Sequence, residues 1–414
     1  MTSILISHPT GNANVRGAVD GFCKQGILES FHTSVACFKG GILYKIGVGP
    51  LRDFRRRTYS EAVREKVRTH PWKEMGRMAA SKLGMKKWLV HETGRFCIDR
   101  VYQDMDNCVA QYVARHPERM DAVYAYEDCT ERTFQAAKRL GKVCLYDLPI
   151  GYWRAMRKML EEERQRNPEW GMTLGGFDDS DEKLARKDRE LAMADRIYVA
   201  SSFTKKTLEL YPGELAEVEV IPYGFPPVNV KRAYQPFVGR KVKVLFVGGL
   251  SQRKGLSYLF EAMKGFEDRM ELTVVGQGDV SRCPALKAAL GRVRHIPSLP
   301  HEEVLALMAT QDVLVFPSLF EGFGLVVTEA MSQGTPVVTT ERTCGPDIIT
   351  HGRDGWIVPA GSAAPLAGLF ETFVAHPEML HEAGKEALKA ASRRPWSCYE
   401  YELAQAVTAY LNER

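Results

Sequence analysis

The sequence predicts an α/β protein of two Rossmann-like, doubly wound domains that face a central cleft. Three observations carry this expectation. A chain of 414 residues exceeds what one hydrophobic core usually organises, so two domains of similar size are expected. Short apolar runs alternate with helical patterns, the signature of parallel strands joined by crossover helices. The alternation stops in a proline-containing, aperiodic stretch and starts afresh at Val242. We expect domains at residues 1–225 and 241–395, with 226–240 as the linker.

Composition narrows the class. With 45% hydrophobic and 26% charged residues, the chain reads as a soluble globular protein. No run of about 18 apolar residues occurs, and MTSILISHPTG lacks a basic leader with a cleavable apolar core, so a cytoplasmic protein is expected. The nine cysteines stand singly without a C-x-x-C pair and read as reduced core thiols. Net charge is +5, yet Leu51–Val90 holds twelve Lys/Arg against four Asp/Glu, a local +8 that leaves −3 elsewhere.

In the first half, Ile4–Ser7 reads as a strand, followed by a glycine-containing turn from His8 to Arg16 and a helix marked by Val15, Val19 and Phe22. Thr33–Cys37 is the expected second strand and Lys45–Val48 the third. The basic block Arg52–Lys87 is interleaved with Phe54, Tyr59, Trp72, Met75 and Met78, and Trp88 follows it. Its helical pattern fits a solvated face, an anionic membrane surface or a grip on an anionic acceptor; no nucleic-acid motif is present. Ala122–Tyr126 and Lys142–Tyr146 read as strands around a helix near 132–140. Ligand crevices of such sheets lie at the carboxyl ends of the strands, which makes Glu127, Tyr146 and Asp147 candidates. Amphipathic helices follow from Gly151 to Arg186 around a loop at 171–181, then a strand ending near Val199, a helix capped by Ser202, and a last strand at Val218–Ile221.

The second half restarts with the strand Val242–Val247, after which Gly248-Gly249-Leu250-Ser251-Gln252-Arg253-Lys254-Gly255 places two cations at the mouth of a helix. Leu272–Val275 and Val293–Ile296 are further strands, and Glu302–Met308 is a helix. The central stretch is 313–338. Val313–Phe316 is a buried strand that breaks at Pro317, passes through Glu321-Gly322-Phe323-Gly324 and enters a helix that stops at Gly334 and Pro336. Such a junction aims backbone N–H groups and a positive helix end at the space above the strand tip, where an anion fits. Glu321 and Glu329 flank it, up to roughly 12 Å apart at helical rise. A diphosphate alone would be repelled by this pair, so both read as acceptors for hydroxyl groups at the two ends of a longer ligand, the layout of a nucleoside diphosphate sugar. The alternative is an ordinary strand–helix unit with Glu321 as a first-turn charge and Glu329 on a solvated face.

Glu321-x7-Glu329 with its EGFG turn, then Gly334-Thr335-Pro336-Val337-Val338, Gly345-Pro346-Asp347 and Gly352-x-x-Gly355, resembles the donor half of retaining glycosyltransferases of family 4. The resemblance implies the GT-B fold, with a final helix at about 396–414 packing back on the first domain. It implies transfer of a hexose from a nucleotide-diphosphate sugar to a glycan, lipid-linked or small-molecule acceptor with retention, by front-face displacement and without a metal. In that reading Lys254 and Arg253 offset the charge of the leaving diphosphate and Glu321 orients the sugar. Gly248, Gly249, Gly322, Phe323, Gly324, Leu325 and Glu329 bind the donor. The first N-terminal loop adds Gly11 and Asn12 near the diphosphate, with Asn14, Arg16, Tyr146 and Glu127 on the acceptor side. Family members often carry a histidine before the aspartate that lies near the transferred sugar; here Tyr146 stands there and Asp147 remains, while Gly249 occupies the usual place of the arginine. The implied location is the cytoplasm, including the inner face of a membrane. Two other classes compete: a non-catalytic nucleotide-sugar or membrane-surface binding protein, and a dinucleotide-dependent oxidoreductase. Against the latter, neither early turn reads G-x-G-x-x-G with an acidic residue about twenty positions on.

Overall fold

The computed structural model describes residues 2–47 and 49–414. Two fully parallel sheets organise the chain. The first contains β1 (Ile4–Ser7), β2 (Leu28–Thr33), β3 (Val67–Thr69), β4 (Ala122–Tyr126), β5 (Val143–Leu148), β6 (Arg196–Val199) and β7 (Val218–Val220), in the spatial order 3-2-1-4-5-6-7. The second contains β8 (Val242–Val247), β9 (Met270–Val275), β10 (Arg294–Ile296), β11 (Val313–Phe316), β12 (Val337–Thr340) and β13 (Gly355–Val358), in the order 10-9-8-11-12-13. Strand order reverses between β1 and β4 in one sheet and between β8 and β11 in the other. Crevices open at such reversals, so the loops after β1, β8 and β11 are the ones placed to build a site.

Burial follows the pleat. Leu5 points to one face of the first sheet, into a core with Val123, Cys144, Tyr146 and Ile197, while Ile4 and Ile6 point to the other with Tyr124 and Leu145. The helix Trp396–Asn412 crosses from the second domain onto the helix Ala13–Lys24, with Lys24 paired to Glu400. The approach is tight enough that a Cβ on Gly21 would lie 2.4 Å from the Glu400 carbonyl oxygen. Residues 226–240 form no helix or strand. All nine cysteines are free thiols. Among the described residues no helix is long and apolar enough to cross a membrane.

Several local expectations are corrected. The second strand is Leu28–Thr33, not Thr33–Cys37: Glu29, Ser30 and His32 hide its pattern, and pairing of Phe31 with Ile6 fixes it beside β1. Val35, Ala36 and Cys37 are apolar because the following loop is buried, not because it is extended in the sheet. Ile42–Ile46 is a short helix where a third strand was expected, and Val48 lies outside the described residues. The third strand is Val67–Thr69, an exposed three-residue edge inside the basic block. Charge on a short edge strand is a usual protection against further pairing and leaves no apolar signature to read. Within that block only Trp72–Lys82 is α-helical; the rest forms 3-10 turns around β3. The cap is Ser201, whose Oγ accepts from the Thr204 N–H at 3.1 Å, while Ser202 begins the helix.

Candidate functional site

A cleft of about 800 Å³ lies between the two sheets where the three loops meet. Its C-terminal wall is the β11 junction. After Phe316 the chain turns through Glu321, Gly322, Phe323 and Gly324 and enters the helix Leu325–Ser332, whose N-terminus carries no side-chain cap. Gly324 has φ +90°, a left-handed conformation that side chains disfavour. Gly322 is required by a close approach instead: a Cβ there would lie 2.0 Å from the Pro149 carbonyl oxygen. The Gly322 carbonyl is clasped by the opposite domain, accepting from Ser201 Oγ at 2.5 Å and Thr204 Oγ1 at 2.9 Å. The Phe323 ring packs tilted against Tyr223 at 4.8 Å between centroids, and Phe320 packs edge-to-face against Phe203 at 5.4 Å. The turn is therefore fixed by contacts across the domain boundary, with its backbone facing the cleft.

The β8 loop brings Lys254 onto the same wall. Its ammonium pairs with the Glu321 carboxylate and lies 4.8 Å from the Phe316 ring centroid. Burial lowers the Lys254 pKa, and the Glu321 charge opposes that shift. Gly248 and Gly249 line the cleft beside it, with open space at Gly249. Arg253 turns the other way: its guanidinium donates to the Phe320 carbonyl at 2.7 Å and stands 3.4 Å from Glu321. The Arg253 carbonyl accepts from the Leu319 N–H at 2.8 Å, so this residue braces the turn instead of lining the cavity. Glu329 lines the far end of the wall, its pKa raised by burial, with His301 at 3.8 Å.

The N-terminal wall begins with the β1 loop. His8, held neutral by burial that lowers its pKa to about 3, accepts the N–H groups of Thr10 and Gly11 through Nδ1 at 3.1 and 3.0 Å. That fixes Gly11, Asn12, Asn14 and Arg16 on the cleft, and Arg16 donates to the Gly11 carbonyl at 2.7 Å. Arg56, Arg57 and Arg77 complete this wall. Sequence reasoning read them as part of a basic block without giving them a place; a trace is present in the Glu74-x-x-Arg77 spacing, since Glu74 now binds both Arg57 and Arg77.

Besides Arg253, three more candidates do not line the cleft. β5 runs two residues beyond the expected Tyr146, so Pro149 and Ile150 form its tip on the cavity wall while Tyr146 and Asp147 lie inside the sheet. Tyr146 is fully buried against Phe134. Asp147 accepts a 2.6 Å hydrogen bond from Tyr124, and burial raises its pKa to about 7. Glu127 lies 3.5 Å from Lys187 in a buried charge network, its carboxyl also pushed up to about 7 by burial. A metal-capable group also emerges that the linear spacing did not reveal. His91, Glu92 and Asp179 converge within 4.8 Å, away from the cleft lining, with Lys183 already 2.9 Å from Asp179.

Comparisons with known proteins agree with this fold. Residues 229–390 match the family model described as Glycosyl transferases group 1. The amylovoran biosynthesis glycosyltransferase AmsK of Erwinia amylovora is 28% identical over 168 residues, 37% of this chain and 41% of the relative. The phosphatidyl-myo-inositol mannosyltransferase of Mycobacterium leprae is 33% identical over 163 residues, 37% of this chain and 43% of the relative. The chain thus spans less than half the length of these two relatives. Among solved structures, the sucrose-phosphate synthase of Thermosynechococcus elongatus superposes with TM-score 0.68 at 16% identity over 100% of both chains. HepE of Anabaena, solved in complex with UDP, superposes with TM-score 0.63 at 16% identity, covering 99% of this chain and 100% of HepE. The family match thus falls on residues 229–390, and the whole chain has the GT-B fold with two Rossmann-like parallel-sheet domains.

Proposed function

We propose that the chain is a glycosyltransferase that moves a hexose from a nucleotide-diphosphate sugar to an acceptor with retention, without a divalent cation. One observation carries this reading: the β11 junction brings Glu321, the Gly322–Gly324 turn, the N-terminus of the helix Leu325–Ser332, Glu329 and Lys254 onto one wall of a single cleft. The diphosphate sits at the helix N-terminus and Lys254, the ribose hydroxyls on Glu329 and the sugar hydroxyls on Glu321. UDP and UDP-glucose complexes of HepE, a protein of the same fold, support this class of donor.

In the reaction the bond between the anomeric carbon and the diphosphate breaks as the acceptor oxygen attacks from the same face. The acceptor proton passes to a diphosphate oxygen. Charge builds on that leaving group, so a fixed ammonium and helix dipole stabilise the transition state more than the ground state. Lys254 performs this role directly. Arg253 contributes by holding the 319–321 turn that positions Glu321. The named chemistry needs no metal, because Lys254 and the helix end supply positive charge where the leaving group develops its negative charge.

The resemblance to AmsK supports a role in polysaccharide biosynthesis. A peripheral location on an anionic membrane is supported by the outer side of the 52–87 block. Trp72 is 84% and Leu83 71% exposed, and Trp88 also reaches solvent, among Lys73, Lys82, Lys86 and Lys87.

The decisive experiment is a thermal-shift screen against UDP-, GDP- and ADP-sugars, followed by NMR of the product's anomeric configuration. A donor that raises the melting temperature and yields a retained linkage is expected. Absence of a shift with every nucleotide sugar would overturn the reading.

A further inference from the structure

The two walls of the cleft differ in charge. The C-terminal wall carries Lys254 with Glu321 and Glu329, a balance suited to a ligand with both phosphates and hydroxyls. On the N-terminal wall stand Arg16, Arg56, Arg57 and Arg77. Behind them Glu74, fully buried, is shared by two guanidiniums. It pairs with Arg57 Nη2 and accepts from Arg77 Nε and Nη2, both at 2.7 Å. One carboxylate thus anchors two guanidiniums.

Arg57 is only 7% exposed, and its Nη1 is a buried donor without a hydrogen-bond partner. Buried guanidinium donors are ordinarily satisfied, so an orphan on a cleft wall points to a ligand oxygen that completes it. Glu74 fixes the guanidinium in one orientation, which is the preorganised fork that planar, bidentate carboxylate and phosphate recognition requires. The segment is also tied to the first loop: Arg16 Nη1 donates to the Arg56 carbonyl at 3.3 Å as well as to Gly11.

We propose that this wall is an acceptor subsite for an anionic group, a phosphate or a carboxylate, bound by Arg57 with Arg16, Arg56 and Arg77. The assignment rests on the glycosyltransferase reading above and goes further, because it restricts the acceptor to molecules that carry a negative charge. The donor diphosphate has its own partners on the opposite domain, which leaves the Arg57 Nη1 donor to a second anion while the donor is bound.

The test uses the full-length protein saturated with whichever nucleoside diphosphate the thermal-shift screen identifies. Inorganic phosphate is then titrated calorimetrically. Binding in the presence of the nucleotide is expected, and Arg57→Lys, which keeps charge but loses the fork, should weaken phosphate at least tenfold while changing nucleotide affinity less than twofold. Arg77→Ala, checked by circular dichroism and melting temperature, is the second variant and should act in the same direction. Parallel titrations compare glucose 6-phosphate, glucuronate and glucose. Preference for the first assigns a phosphate, preference for the second a carboxylate, and affinity for both no better than for glucose overturns the proposal. It also falls if phosphate binds only in competition with the nucleotide, or if the arginine variants weaken the nucleotide instead. Should no nucleoside diphosphate bind the wild type, the glycosyltransferase reading itself fails first, a distinct result.

Discussion

The Lys254 ammonium and the Glu321 carboxylate form an ion pair at the mouth of the cleft, from loops 67 residues apart in sequence. Neither side chain is more than 13% exposed, so each is the other's compensation in the donor-free protein. In the proposed function a bound diphosphate would offer Lys254 a second anion and free Glu321 to accept from sugar hydroxyls.

Removal of either partner should therefore reduce turnover by about 10²–10³-fold, the range for losing one group that stabilises developing charge. Because the two act as a unit, Lys254→Ala combined with Glu321→Gln should cost less than the product of the single effects. Steady-state kcat/KM of the four proteins checks this, with circular dichroism to confirm the fold. Additive losses would mean that the residues work independently.

Glycine substitutions should separate a domain contact from a merely open loop. Gly322→Ala drives a methyl to 2.0 Å from the Pro149 carbonyl oxygen, a backbone clash that must part the two domains locally. A loss of about 1–3 kcal/mol is expected, of the order stored by a strained backbone position. At Gly249 a Cβ meets nothing within 4 Å, and Gly249→Ala should leave the unfolding midpoint unchanged. Chemical denaturation of both variants decides the matter.

Asp147 should prove dispensable for chemistry yet visible in pH-dependent stability. Burial raises its pKa to about 7, from an ordinary value of 3.8. Between those values the folded state holds a proton that the unfolded state has released, so stability falls as pH rises from about 4 to 7, and the penalty is complete above 7. Asp147→Asn should flatten the stability profile in that window and keep transfer within a few-fold of wild type. A hundredfold loss of kcat with an intact fold would place Asp147 in the reaction.

The outer side of the basic block should bind anionic vesicles. Co-sedimentation with phosphatidylglycerol vesicles, but not with phosphatidylcholine, is the expected result. Trp72→Ala with Leu83→Ala should reduce that binding several-fold while leaving nucleotide binding unchanged, since neither residue lines the cleft. Equal binding to both vesicle types would remove the electrostatic contribution.

Legibility in the sequence followed the range of the interactions. β1, β8 and β11 are short apolar runs whose neighbours in the chain end them, so a local reading found them. β2 and β3 are strands because β1 and then β2 offer them a ladder partner, a fact no window over Glu29, His32 or Arg68 contains. The C-terminal wall of the cleft was readable for the same local reason: Glu321, the glycines and Glu329 sit on one strand–turn–helix unit. Its pairing with Lys254 followed from resemblance.

By itself, then, the sequence determined two alternating α/β halves and the residues of the β11 junction, because hydrophobic periodicity and turn chemistry act over a few residues. Tertiary structure alone decided that Tyr146 and Asp147 lie away from the cleft, since a strand ending two residues later moves its tip to Pro149 and Ile150, and that Glu127 turns to Lys187. It also decided that Arg57 and Arg77 of the basic block line the cleft, where the buried Glu74 holds them. Charge in a sequence states a sign, and only packing gives it a direction.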